Sequence, residues 1–415
     1  MKTSLIYLSI MVCSLCAVSC NNTEPDNLEE GLPAFPKPTE QIDRVPLTRA
    51  EQDYVVAGND FGWALMERVW TQAEKKESMM LSPLSVQFAL GMLGNAAADK
   101  SVSDKLSAVL GYDKIENLNA YCAKLISDLP KVDTTVTLAT ANAIVADDFR
   151  KIDESFQTTV EQAYDAEICS MSFKDPSAVL DRVNGWCRIH TYGRIDKILE
   201  QVSPMDRVYL MNALYFNGRW AYPFDEAASK TESFRPLTGA KSRVEMMHLT
   251  THFFYYENEL FQGVRLPYGN GHYALSVFLP KKGVSLDQVI ESHPSVNFGM
   301  SYPEVILSLP RFRTESNLNL LGVLADLGLP LEGYDSFYSP IYPMSVSMIR
   351  QKSFISVSET GTEAAAVTII GLIGTTDIYA PKPEPIVFNA DHSFLYTISE
   401  ETSGTILFIG IYNGD

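Results

Sequence analysis

Between Glu359 and Thr376 the chain carries a segment that reads both as a loop and as a strand. It runs Glu359-Thr360-Gly361-Thr362-Glu363-Ala364-Ala365-Ala366-Val367-Thr368, then Ile369-Ile370-Gly371-Leu372-Ile373-Gly374-Thr375-Thr376. Gly361 and the small residues after it suit a mobile connection, because glycine lacks a Cβ and reaches dihedrals closed to other residues. Beyond Gly361, however, the residues alternate as in a buried strand. One face would carry Thr362, Ala364, Ala366, Thr368, Ile370 and Leu372, all uncharged. The other would carry Glu363, Ala365, Val367, Ile369, Gly371 and Ile373, with the only charge. No proline occurs between Glu359 and Tyr379, so every backbone N–H there is available to a central strand. A fold containing this segment must either leave it outside or make room for it within a sheet. An alanine-rich surface loop is the plainer alternative.

The residues around this segment resemble the serpin family. That family's hinge is a Glu, one variable residue, then Gly-Thr-Glu-Ala-Ala-Ala, which Glu359 to Ala366 match throughout. Phe388-Asn389-Ala390-Asp391-His392-Ser393-Phe394 is similar to the strand after the reactive loop, with Ser393 where proline is usual. Leu81-Ser82-Pro83-Leu84-Ser85 with Ala89-Leu90-Gly91-Met92-Leu93 resembles the entry to the buried second helix. Asn184-Gly185-Trp186, Thr191-Tyr192-Gly193-Arg194-Ile195, and Met211 to Trp220 with Phe224 follow in the family's order. So do Val264-Arg265-Leu266-Pro267-Tyr268, Ser276 to Pro280, Leu309-Pro310-Arg311-Phe312 and Leu407-Phe408-Ile409-Gly410. The resemblance covers nearly all of the chain after residue 50. It implies an α+β serpin fold, with three β-sheets and eight or nine helices in one domain over residues 50–415. Such a fold is metastable and displays a reactive-centre loop, here at about 359–385. Length alone, at 415 residues, would have favoured two domains.

Charge and targeting signals bound the surroundings. With 33 basic against 51 acidic side chains the net charge is −18, which disfavours nucleic acid as a partner. Lys2 precedes an apolar run from Leu5 to Val18, too short for a typical membrane span and suited to a signal peptide over residues 1–19. The run ends Ala17-Val18-Ser19-Cys20, similar to a bacterial lipoprotein signal with Cys20 as the lipidated residue. Ala17 departs from the usual Leu, and ordinary secretion is the alternative. Residues 20–49 are acidic and then proline-punctuated, as expected of a flexible tether. The expected setting is therefore export: an outer-membrane or cell-surface lipoprotein, or a secreted protein, touching membrane only through a lipid anchor.

Little in the sequence favours catalysis. Cys122, Cys169 and Cys187 remain besides Cys20 after processing, which leaves no full disulfide pairing and suits buried small hydrophobes. His248 and His252 are four apart, but Met246-Met247 and Phe253-Phe254-Tyr255-Tyr256 around them suggest strand, so no metal site is expected. There is no Gly-x-Ser-x-Gly elbow, His-Glu-x-x-His helix or Gly-Lys-Ser/Thr phosphate loop. No cofactor is expected either.

The resemblance implies an inhibitor, expected to be a monomer, that forms a covalent complex with a serine protease. The protease attacks the loop and forms an acyl-enzyme; the freed loop then inserts into the central sheet and drags the protease with it. Counting seventeen residues from the hinge Glu as in the family places the reactive bond at Thr375-Thr376. Because the loop is long beyond that point, Gly374-Thr375 and Thr376-Asp377 are near alternatives. No Arg or Lys occurs between Glu359 and Ala380, so elastase-like or subtilisin-like proteases are expected, with papain-like cysteine proteases a further class. The family also assigns Glu359 a basic partner, here Arg311, and places Trp220 where the loop first enters. Ser82, Ser85 and Asn212 would lie where the central strands part, with Gln351 in place of a usual His. A non-inhibitory serpin, a carrier or chaperone, is the alternative function.

Overall fold

The computed structural model describes residues 41–73, 77–203, 205–237, 241–294, 301–362 and 383–414. The expected signal segment, Cys20 and most of the tether lie outside these residues, as does the chain from Glu363 to Lys382. In chain order the helices are α1 (Arg49–Gln72), α2 (Pro83–Gly94), α3 (Lys100–Val109), α4 (Ile115–Val132), α5 (Glu154–Tyr164), α6 (Pro176–His190), α7 (Leu286–Glu291) and α8 (Leu321–Asp326). The strands of the first half are β1 (Met79–Leu81), β2 (Thr137–Asp147), β3 (Lys151–Ile152), β4 (Ala166–Met171), β5 (Val208–Arg219), β6 (Lys230–Phe234), β7 (Ser242–His252), β8 (Phe254–Glu257) and β9 (Phe261–Tyr268). The second half supplies β10 (Tyr273–Pro280), β11 (Glu304–Pro310), β12 (Phe312–Asn319), β13 (Tyr338–Ser339), β14 (Arg350–Ser358), β15 (Gly361–Thr362), β16 (Ile386–Asn389), β17 (Phe394–Glu400) and β18 (Thr405–Tyr412).

Local sequence sets several of these boundaries. Thr48 and Glu51 close a capping box on α1, with the Thr48 N–H donating to the Glu51 carboxylate at 2.6 Å and the Glu51 N–H to Thr48 Oγ1 at 3.3 Å. Ser82 caps α2 by accepting from the Ser85 N–H at 3.1 Å, and Pro83 occupies the first helical position, where no N–H is needed. Contacts with the rest of the chain extend ahead of residue 50. Val45 is buried, and the Ile42 N–H donates to the Lys131 carbonyl at 3.1 Å. Two aliphatic side chains among the prolines were enough to dock that end of the tether. His248 and His252 lie in β7, and Gly269 and Gly271 take positive φ in the turn from β9 to β10. Among the described residues, Cys122 and Cys187 are buried, Cys169 is half-buried, and all three are free thiols.

Three sheets carry the architecture. The central one has the order β12-β14-β15-β5-β2-β4, the second β1-β18-β17-β10-β9-β8, and the third β16-β11-β7-β6, while β3 and β13 form a small separate ladder. β17 and β18 are both buried along their whole length; β18 runs nearly apolar, while β17 also buries Thr397, Ser399 and Glu400. The central sheet has two different faces. Tyr209, Met211 and Ala213 of β5 pack with Val179, Val183, Trp186 and Cys187 of α6. Phe216 of β5, with Ile355 and Val357 of β14, faces the main core. Among the described residues β14 and β5 share no ladder with each other. Only the two residues of β15 join them, at the Gly218 end of β5.

Candidate functional site

The site is the place where Gly361 and Thr362 enter the central sheet. Gly361 pairs with Ser358 on one side and Arg219 on the other; Thr362 pairs with Val357 and Gly218. Both pairings are antiparallel, so the chain leaving β14 has turned back between its own strand and β5. The position of Gly361 demands glycine twice over. Its φ is +142°, and a Cβ there would meet Gly218 O at 2.3 Å and Arg219 Cα at 2.7 Å.

Aromatic residues hold this entry point. The Trp220 ring stacks on Tyr268 at 4.4 Å with 12° between planes, and its Nε1–H donates to Ser358 O at 2.8 Å. The Trp220 N–H donates to Thr360 O at 3.1 Å, and the Phe224 N–H to Glu359 O at 2.9 Å. The buried Tyr268 hydroxyl lies 2.7 Å from Thr362 Oγ1. The hinge therefore starts with most of its first backbone groups paired, in a setting that excludes water.

Glu359 is the charged member of the site and is buried. Arg311 donates to it in a fork, Nη2 to Oε1 at 2.6 Å and Nε to Oε2 at 3.0 Å, and Ser229 Oγ donates to Oε1 at 2.6 Å. Burial by itself would raise the Glu359 pKa. The Arg311 and Ser229 hydrogen bonds overcome it and hold the carboxyl below its ordinary range. Arg311 is half exposed, so solvent screening limits the pair to about 1–2 kcal/mol. Because the folded value is depressed, that contribution is fully present above the unfolded glutamate value of about 4.3 and lost as pH falls through the folded one. Glu359→Gln should therefore lower the melting temperature of the intact protein at pH 7, and the gap from wild type should close below about pH 4. An equal gap at both pH values would refute this account of the pair.

Below Thr362 the opening continues as a cleft. One wall carries Asn212, Leu214 and Phe216 of β5, the other Gln351, Ser353 and Ile355 of β14, and Ser82 and Ser85 of α2 lie beneath. Gln351 binds the start of α2 reciprocally: its Oε1 accepts from the Ser82 N–H at 3.0 Å, and its Nε2–H donates to Ser82 O at 2.9 Å. Asn212 Nδ2–H donates to Asn142 Oδ1 at 2.8 Å, and Asn142 in turn donates to Tyr164 O at 2.6 Å. Asn212 Oδ1 is buried with no partner among the described residues. A buried acceptor without a donor costs about 1–3 kcal/mol, so the cleft edge holds an unmet hydrogen bond.

The residues singled out in the sequence fall into three groups. Trp220, Arg311, Glu359, Gly361 and Thr362 meet at the entry point, and Ser82, Ser85, Asn212 and Gln351 meet in the cleft. Glu363, Ala364, Ala365, Ala366, Gly374, Thr375, Thr376, Asp377 and Cys20 lie outside the described residues. Sequence reasoning gave no role to Tyr268, Ser229 or Asn142. A tyrosine on the apolar face of a strand needs a hydroxyl partner and could have been flagged. Ser229 carried no such signal.

At this site the first two residues of the connecting loop pair between two middle strands of the central sheet. The chain belongs to the serpin family: residues 56–413 match the family described as serine protease inhibitors. It is 28% identical over 428 residues to an uncharacterized serpin-like protein of Thermococcus kodakarensis, covering 99% of this chain and 98% of that one. It is also 28% identical over 375 residues to the leukocyte elastase inhibitor of Equus caballus, covering 83% of this chain and 95% of that protein. Among solved structures, the thermophilic serpin tengpin in its native state superposes with a TM-score of 0.77 at 26% identity, covering 91% of this chain and 97% of that one.

Proposed function

We propose that this chain is a suicide inhibitor of serine proteases with shallow apolar specificity pockets, of elastase or subtilisin type. The observation that carries this reading is β15: the loop has begun to enter the sheet, and the cleft ahead of it is shaped for more. Continuing its pairing one residue at a time sets Ala364 between Phe216 and Ile355, and Ala366 between Leu214 and Ser353. Thr368 then falls between Asn212 and Gln351, where its hydroxyl can donate to the unmet Asn212 Oδ1. Leu372 arrives opposite Val208, the first residue of β5. Every side chain sent to the core face is small or aliphatic, so no charge is buried. The ten residues from Glu363 to Leu372 correspond to a travel of roughly 33 Å.

The chemistry needs nothing catalytic from this chain. The serine oxygen of the protease attacks the Thr375 carbonyl carbon, the Thr376 amine leaves with a proton, and an ester joins the two proteins. Insertion of the freed loop then competes with hydrolysis of that ester. The horse relative is named as an elastase inhibitor, which agrees with the lack of Arg or Lys in the loop before Ala380. Incubation with elastase should give a covalent complex that survives SDS, and mass spectrometry of the released peptide should place the cut at Thr375-Thr376. Trapping of trypsin with no trapping of elastase would overturn the specificity. Cleavage of both without any complex would favour the non-inhibitory carrier.

A further inference from the structure

A row of polar residues crosses the outer face of the third sheet, away from the hinge and the cleft. His248 of β7 is in register with Ser308 of β11, and Ser308 with Asn389 of β16. The residues just before the last two, Leu307 and Phe388, are fully buried in the core, so strand alternation turns the row to the opposite, solvent face. His248 Nε2 lies 3.1 Å from Glu232 Oε1 of β6, and its Nδ1 lies 3.0 Å from Ser308 Oγ. A carboxylate only accepts, so Nε2 carries the ring proton. In the neutral ring Nδ1 is then the acceptor, and the Ser308 hydroxyl donates to it. The His248 and Glu232 side chains are 30% and 39% exposed, so a small molecule reaches the pair from solvent.

A serine hydroxyl that donates to a histidine, itself oriented by a carboxylate, is the arrangement that activates a weak nucleophile. We propose that Ser308 takes up short acyl groups from activated esters, with His248 as the base and Glu232 as the residue that positions it. Ser308 Oγ adds to the ester carbonyl carbon, its proton passes to His248 Nδ1, and the phenol or alcohol leaves with that proton. Water then gives a proton to Nδ1 and adds to the acyl carbon; the carboxylic acid departs and Ser308 regains its hydrogen. Asn389, directly across from Ser308 and exposed, supplies side-chain N–H donors for the oxyanion. Two residues back on the same face, Ile306 and Val387 are paired and are 41% and 59% exposed, an apolar rest for the acyl chain. Water at this open face weakens the field on the oxyanion, which restricts the site to good leaving groups.

The test uses the full chain with p-nitrophenyl acetate and p-nitrophenyl butyrate. Release of p-nitrophenolate should fall about a hundred-fold in Ser308→Ala and in His248→Gln. Glu232→Gln should lower kcat while KM stays within about two-fold, and Glu232→Asp should recover part of the loss, a split that a merely structural carboxylate does not produce. Melting temperatures near that of the wild type confirm that the variants fold. Mass spectrometry of the acid-quenched wild type, which needs no variant, should find the acyl group on the peptide containing Ser308. Acyl groups on lysines with none on Ser308 overturn the proposal. So does a fall of less than about ten-fold in Ser308→Ala or His248→Gln, or an unchanged kcat in Glu232→Gln.

Discussion

Gly361→Val should turn the protein from a trap into a substrate. Valine at φ +142° is strained, and its Cβ would sit 2.3 Å from Gly218 O and 3.0 Å from the Trp220 nitrogen, backbone atoms that cannot swing aside. The variant must withdraw residues 361 and 362 from between β14 and β5, and with them the Thr362 contact to Tyr268. After cleavage the same obstacle meets the loop at its first step, while hydrolysis of the ester proceeds unhindered. Backbone strain of about 1–3 kcal/mol, before any clash, shifts that competition roughly five- to 150-fold. The number of inhibitor molecules consumed per elastase molecule inactivated should rise by at least about ten-fold, with cleaved chain replacing the covalent band. Gly361→Ala carries the same Cβ and should show most of the effect. Wild-type stoichiometry in both variants would mean that the entry point does not govern insertion.

Cutting the loop with a protease that is then removed should raise the melting temperature by about 10 °C or more. Insertion of the cut loop would bury Val367, Ile369, Ile370 and Leu372 in or against the sheet, at about 2 kcal/mol each. The new ladder hydrogen bonds, near 1 kcal/mol apiece, are largely offset by the entropy of ordering ten residues. Some 8 kcal/mol is left, and a domain of this size has an unfolding entropy near 0.8 kcal/mol per kelvin at its midpoint. Satisfying Asn212 Oδ1 adds to the gain. Thermal scans of intact and cleaved protein decide the point, and identical midpoints would support the carrier alternative over the inhibitor.

How much of this was legible beforehand differs between residues. The alternation from Thr362 to Leu372 and the glycine at 361 were visible because strand period and φ freedom are local properties. Arg311 and Glu359 could be paired only through a family pattern, since 48 residues separate them. That Ser229 completes their network, and that Tyr268 meets Thr362 from 94 residues away, left no local trace. Proline-rich composition gave no sign of the contacts made by Ile42 and Val45.

By itself, then, the chain determined a segment able to be loop or strand: glycine where φ is positive, small residues on one face, no proline to remove a donor. Only the tertiary structure decided that Gly361 and Thr362 lie inside the sheet, where the cleft lies, and which buried acceptor at its edge is left unmet. Those depend on side chains brought together from far apart in the chain, and their energies come from burial and hydrogen-bond geometry that no short-range pattern encodes.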